Sequence, residues 1–250
     1  MADGALGSRG AALHEPYCDD PGNRGLVLMD GPEVERLTLE ALALDFQVCV
    51  HAIGDRANTL VLDAFERALA RAPRPDHRLR VEHAQILTER DVPRFARLGV
   101  LPSMQATHCT SDMAWAAERL GPDRLHGAYA WRSLLATGVL IAGGSDFPVE
   151  SPNPFHGIHA AVTRRPRTGK DPHWQPEQRM TREEAVRSFT VWNAYASRQD
   201  ADLGTLVPGK RADLIALSED VFTCPEDRIA EIRPALTMVG GNVVHPAPAG

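Results

Sequence analysis

Three side chains of metal-binding or acid–base type stand at the ends of three short apolar runs. His51 closes Phe46-Gln47-Val48-Cys49-Val50, and His83 closes Leu79-Arg80-Val81-Glu82. Asp146 follows Val139-Leu140-Ile141-Ala142-Gly143-Gly144-Ser145. Catalytic zinc sites use His nitrogens and carboxylate oxygens and keep one position for water. The ion lowers the pKa of that water from about 15.7 to about 7. A nearby carboxylate can take the proton and pass it to a leaving nitrogen or oxygen. Asp146 suits that catalytic role, His51 and His83 suit ligation or substrate polarisation, and the three together suit a divalent metal, zinc first among them. The set points to metal-assisted hydrolysis of a small molecule.

Other histidines weigh less. Met104-Gln105-Ala106-Thr107-His108 follows a further strand-like run, so Gln105 and His108 are candidates for substrate contact at the same mouth. His156 and His159 are three apart in a helical stretch and share a face; without a third ligand they read as a solvated face. Ser145 lacks the G-x-S-x-G setting of a hydrolase nucleophile. Gly143-Gly144 lacks the phosphate-loop lysine and the dinucleotide fingerprint, and reads as a close backbone approach.

Each run that ends in a candidate residue is short, apolar or β-branched, and bounded by loop residues, so each reads as a strand. The strands are expected at 46–51, 79–83, 100–104 and 139–145. Helical spacing fills the gaps: 32–44, 54–70 with Asp55 as N-cap, a short helix ending at Gly99, 112–120, 129–137 and 154–165. Thr181 and Glu184 form a capping box for a helix over 181–196. Strands alternating with helices imply a parallel sheet. In a parallel barrel the C-terminal strand ends open into one mouth, where residues distant in sequence converge. Only four such strands are present, half of an eight-stranded barrel. The tail differs: a strand at 212–217 and a hairpin at 236–244 turning on Gly240-Gly241. The expected fold is therefore α/β, a partial (β/α)8 barrel over residues 1–200 followed by part of a small β-sandwich over 201–250. Residues 2–25 read as a long loop, and such loops are often functional.

Composition sets the bounds. The chain has 250 residues, 43% of them apolar and 24% charged, ordinary for a globular protein. A net charge of −6 argues against nucleic acid or a membrane surface as partner. Cys18, Cys49, Cys109 and Cys224 are widely spaced with no C-x-x-C pair, which fits a reducing cytoplasm. Cys49 reads as a small buried strand residue. No run approaches the roughly 20 apolar residues of a membrane helix, and Met1–Gly10 has no apolar signal core.

Five runs carry a resemblance. Ala2-Asp3-Gly4-Ala5-Leu6-Gly7-Ser8-Arg9, Val50-His51-Ala52-Ile53-Gly54-Asp55-Arg56-Ala57, Val81-Glu82-His83-Ala84-Gln85, Gly143-Gly144-Ser145-Asp146-Phe147-Pro148-Val149 and Pro208-Gly209-Lys210-Arg211-Ala212-Asp213-Leu214 are, in this order, similar to the YtcJ-like branch of the amidohydrolase superfamily. The resemblance implies a metal-dependent (β/α)8 barrel with a small sandwich, acting on non-peptide C–N bonds. It implies that His51, His83 and Asp146 match the residues after strands five, six and eight, with Asp146 as general base.

The chain departs from that pattern. It contains no His-x-His pair, and neither Lys170 nor Lys210 is placed as the strand-four lysine of many members. The expectation is a truncated chain corresponding to strands five to eight plus the returning part of the sandwich. Open strand edges invite pairing, so self-association or a complementing N-terminal half is expected, with weak metal binding and little activity alone. Two other readings stay open: a non-catalytic interaction module that keeps the fold, and a metal-free enzyme using Asp146 as a simple acid–base group.

Overall fold

Four parallel strands lie side by side in their order along the chain: β1 (Cys49–Ala52), β2 (Arg80–His83), β3 (Leu101–Met104) and β4 (Ala142–Gly143). In the computed structural model, which describes residues 1–168 and 173–245, the link between β1 and β2 is α2 (Asp55–Arg71), and that between β2 and β3 is α3 (Val92–Leu98). The β3–β4 connection is longer and holds α4 (Ala106–Asp112), α5 (Ala116–Leu120) and α6 (Trp131–Ala136). Before β1 comes α1 (Gly31–Ala43); after β4 come α7 (Pro154–Thr163), α8 (Arg182–Ser188) and α9 (Val191–Ala196). A separate antiparallel sheet follows, β5 (Leu214–Leu217), β6 (Pro234–Val239) and β7 (Asn242–His245), with Gly240 and Gly241 in left-handed backbone at the turn.

The apolar periodicity places the core. On α2, Val61, Leu62, Phe65 and Ala68 are fully buried, the stripe that 3.6-residue spacing builds. Val50, Ala52 and Val81 are buried on the strands, and Phe95, Trp131, Leu134 and Ile141 join them in one cluster. Each large apolar side chain buried this way contributes on the order of 2–3 kcal/mol.

Several boundaries move, each for a local reason. The first strand starts at Cys49 rather than Phe46, because Phe46 N–H still bonds the Ala41 carbonyl at the end of α1 and its ring is 64% exposed. The cap of α2 is Gly54, not Asp55. The Asp55 carboxylate accepts from His14 N–H and Arg56 N–H instead. Gly54 is required there, since a Cβ would lie 2.0 Å from the Ala12 carbonyl oxygen. The helix expected at 112–120 is two, α4 and α5, and the first begins six residues earlier than expected. Thr107, Cys109, Thr110 and Ser111, poor helix formers, hide it from a propensity reading. The helix at 181–196 breaks at Phe189-Thr190, where the backbone leaves helical values. The Phe189 ring packs against Gly143 and Gly157, whose added Cβ atoms would meet it at 3.1 Å and 2.4 Å. The Thr181–Glu184 capping box is present.

Two burial expectations are corrected. Cys49 is exposed, because alternation along β1 puts it on the face opposite the buried Val50 and Ala52. His159 is buried at 2% exposure rather than solvated, because α7 packs against the 226–231 segment. Lys170 lies outside the described residues. Lys210 donates to the Asp200 and Leu203 carbonyls. No helix among the described residues is long and apolar enough to cross a membrane.

Candidate metal centre

Parallel pairing puts the C-terminal ends of β1, β2 and β3 on one edge of the sheet. The register sets Ala52 opposite His83 and Glu82 opposite Ser103, so His51 and Gln105 each emerge within one residue step of the level of His83. His83 is the last residue of β2 and its backbone is left-handed, φ 75°. Asp146, three residues past β4, is also left-handed, φ 57°. Such backbone costs on the order of 1–3 kcal/mol in a non-glycine residue and persists where surrounding structure holds it, often at functional sites. Here the turn after His83 is tied down by Ile86 N–H on the Ile53 carbonyl and Tyr129 N–H on the Gln85 carbonyl.

Three imidazoles meet at this edge. The His51 and His83 rings are edge-to-face, with centroids 4.5 Å apart and planes at 74°. The His83 and His108 rings are stacked at 5.8 Å and 18°. His108 enters from the first turn of α4, and its Nε2 is 3.9 Å from Asp146 Oδ2. One ligand atom each from His83, His108 and Asp146 can be chosen so that all lie within 4.8 Å of one another. The structure thus gathers His83, His108 and Asp146, and sets His51 against the His83 ring with its Nε2 3.5 Å from Asp3 Oδ1.

Gln105 is the first residue after β3 and is buried. Its Oε1 lies 2.7 Å from His83 Nδ1, and its Nε2 donates to the Ser103 carbonyl. Both ends of the amide that sequence spacing assigned to substrate are engaged within the protein.

The protonation states follow from burial. Desolvation, then the neighbouring His83, pulls His51 down to about 4 and lowers His108. Both rings are neutral at pH 7 and carry one lone pair each. Among the described residues, His51 Nε2, His108 Nε2 and Thr107 Oγ1 are buried with no hydrogen-bond partner. An unmet buried polar atom costs about 1–3 kcal/mol. Imidazole nitrogens from His83 and His108 and a carboxylate oxygen from Asp146, all within 4.8 Å of one another, are the donor types of a catalytic zinc site, so the residues present fit a divalent ion.

Two acidic residues escaped the sequence reading. Asp3 is fully buried and accepts from the backbone N–H groups of Ala12, Ile53 and Gly54. Burial raises its pKa to about 6 in spite of those three donors. It pins the opening loop to the end of β1, directly beside His51. Asp112 closes α4, one turn beyond His108; its Oδ2 accepts from the Tyr129 hydroxyl at 2.5 Å and from Gln85 Nε2 at 2.9 Å. Burial lifts it too to about 6. The only sequence hint to either was an acidic residue amid small or polar neighbours, and that pattern is common in loops. Ser111 on α4 donates to Glu150 on the loop after Asp146, joining the two segments that bring His108 and Asp146 together.

Residues 1–245 match the family model described as "Amidohydrolase family". The protein LONG AFTER FAR-RED 3 of Arabidopsis thaliana is 39% identical over 248 residues, covering 98% of this chain and 42% of that protein. The putative amidohydrolase YtcJ of Bacillus subtilis (strain 168) is 35% identical over 246 residues, covering 98% of this chain and 46% of that one. The N-substituted formamide deformylase of Arthrobacter pascens is 30% identical over 213 residues, 84% of this chain and 38% of that enzyme. The crystal structure of an uncharacterized metal-dependent hydrolase from Pyrococcus horikoshii OT3 superposes with a TM-score of 0.80 at 32% identity, over 90% of this chain and 44% of that one. The chain spans less than half the length of the curated relatives it matches.

Proposed function

The chain belongs to the amidohydrolase family, and from that premise we propose that it carries the acid–base and metal-holding part of a hydrolase for small molecules with a non-peptide C–N bond of the amide or formamide kind. The convergence of His83, His108 and Asp146 within 4.8 Å is the observation that carries this reading. The choice of bond draws on the relative named for N-substituted formamides.

His83 and Asp146 are two of the proposed metal ligands. The third is His108 or His51, and His108 is the better placed, since one of its ring nitrogens lies within 4.8 Å of ligand atoms of both His83 and Asp146. Where His51 is the third ligand, His108 is left to face substrate. When bound, a divalent ion, zinc by donor type, supplies Lewis acidity that activates water and polarises a carbonyl. The protein's own groups do the rest. Low-dielectric surroundings keep His51 and His108 neutral, so each ring has one nitrogen able to donate a lone pair. Asp146, with its side chain 43% exposed, reaches solvent: Oδ2 can accept a proton from the attacking water and return it to the departing nitrogen, the base-then-acid sequence such a bond needs. His83 and Gln105, both buried, hold bulk water from the inner side.

The finer architecture is part of the same proposal. The four-stranded sheet over residues 1–200 is taken as one arc of a (β/α)8 barrel, and residues 201–250 as part of a sandwich. The edges of β1 and β4 are then the places where further strands, from a complementing segment or a second copy, would pair. We place the protein in the cytoplasm.

A second reading is favoured by one observation. The sequence has no His-x-His pair, and the second reading is an interaction module that retains the fold without turnover. One experiment separates the two: hydrolysis of a panel of N-substituted formamides and simple amides by the chain with zinc, alone and mixed with the N-terminal half of a longer relative. Turnover in either arm supports the hydrolase. Complex formation with metal bound but no turnover in both supports the module.

A further inference from the structure

The Gln105 amide is held at both ends. Nε2 donates to the Ser103 carbonyl at 3.3 Å, and Oε1 lies 2.7 Å from His83 Nδ1. A backbone carbonyl can only accept, so the NH2 end of the amide must face Ser103 and the oxygen end must face the imidazole. An oxygen acceptor 2.7 Å from a ring nitrogen requires a hydrogen on that nitrogen. A neutral imidazole has one N–H, so Nε2 is left with the lone pair.

We infer that Gln105 is a positioning residue: it fixes His83 as the Nδ1–H tautomer and orients its ring so that Nε2 is the donor atom. This rests on His83 being a ligand, as the hydrolase reading has it. Ligating histidines usually give their other N–H to a carboxylate, carbonyl or water, and loss of that partner costs 10–100-fold in metal affinity or activity. Gln105 is suited to the task by its place in the fold. It leaves β3 in extended backbone, φ −106° and ψ 104°, beside the end of the parallel neighbour β2, and it is 7% exposed while His83 is 8% exposed. The bond therefore runs in a setting from which water is excluded. It also spans the left-handed turn at His83 and keeps the side chain from following the backbone out of the site. Because the partner is an uncharged amide, the ring is oriented without the added basicity that a carboxylate partner confers.

The test compares the unsubstituted protein with Gln105→Leu, which removes the acceptor at similar size, and Gln105→Glu, which keeps one. The readouts are the His83 ring nitrogen signals in a long-range proton–nitrogen NMR spectrum of the metal-free protein, and the affinity for cobalt(II) by optical titration. The expected result is the Nδ1–H tautomer in the unsubstituted protein and in Gln105→Glu. Gln105→Leu should show mixed tautomers and a cobalt affinity about 10–100-fold lower. An Nε2–H tautomer in the unsubstituted protein overturns the inference with no variant needed. So does a Gln105→Leu protein with unchanged tautomer and affinity. The expected tautomer pattern with no cobalt bound by any form would uphold the orientation of His83 and overturn the metal reading.

Discussion

His83 and His108 stack with ring centroids 5.8 Å apart and planes only 18° from parallel, although one ends β2 and the other sits in the first turn of α4. Two imidazolium rings so placed would repel. The stack is stable at neutral pH because burial keeps His108 uncharged, and among the described residues its Nε2 has no partner. A group that is neutral, unpaired and 3.9 Å from a carboxylate is poised for a cation.

Asp3 and His51 should cancel each other's effect on stability in acid. Asp3 has its pKa raised from 3.8 to about 6, so the folded state binds the proton more tightly and stability falls as pH rises from about 4 to about 6. His51 is lowered from 6.5 to about 4, so the folded state resists protonation and stability rises with pH over about 4 to 6.5. Each shift of two units or so corresponds to roughly 3 kcal/mol. Urea unfolding of the metal-free protein between pH 4 and 6.5 should show little slope from this pair. Asp3→Asn should unmask the rising limb of His51. Equal pH slopes in the two proteins would contradict the assignment.

Arg164 is fully buried, and among the described residues no carboxylate pairs with its guanidinium. It donates instead to the carbonyls of Tyr129 and Trp174 and to Gln175 Oε1. It also stacks on Trp131 and Trp174. Arg164→Met keeps the bulk but strips several buried acceptors of their donor. A loss of about 3 kcal/mol is expected in denaturant unfolding, and a change under about 1 kcal/mol would show that water replaces the guanidinium there.

Gly54→Ala forces a Cβ to 2.0 Å from the Ala12 carbonyl oxygen. Both partners are backbone and neither can yield without moving the loop that Asp3 pins. The variant should lose at least about 3 kcal/mol or fail to fold. A melting temperature within a degree or two of the parent would mean that the opening loop is not docked as described.

The sequence showed the parallel sheet and the candidate strand ends because buried parallel strands leave short apolar runs and helices leave 3.6-residue stripes, as at Val61, Leu62 and Phe65. It showed the capping box at Thr181 because that motif is wholly local. It did not show α4, whose Thr, Cys and Ser residues are poor helix formers, nor that His108 would stack on His83, because that contact depends on where α4 starts. Asp3 was missed for a similar reason. Three backbone N–H groups from two distant segments converge on it, and no local pattern encodes a convergence. His159 was misjudged because its burial comes from the 226–231 segment, far along the chain.

The two candidate third ligands can be told apart. His108→Ala removes a ring grouped with His83 and Asp146, whereas His51→Ala removes one whose Nε2 is near Asp3. His108→Ala should lower zinc affinity by at least tenfold, and His51→Ala by less, both followed by competition with a chromophoric chelator at pH 7.5. The reverse order would move the centre to the His51 side. Both apparent affinities should weaken as pH falls, since protons compete for the same lone pairs.

The most direct measurement of the central claim is calorimetric titration of the metal-stripped chain with zinc, beside His83→Ala and Asp146→Ala proteins shown to be folded by circular dichroism. One ion per chain, released on adding chelator and lost or weakened by tenfold or more in each variant, is the predicted result. No binding to the parent chain, or binding that both variants retain at full strength, would contradict it.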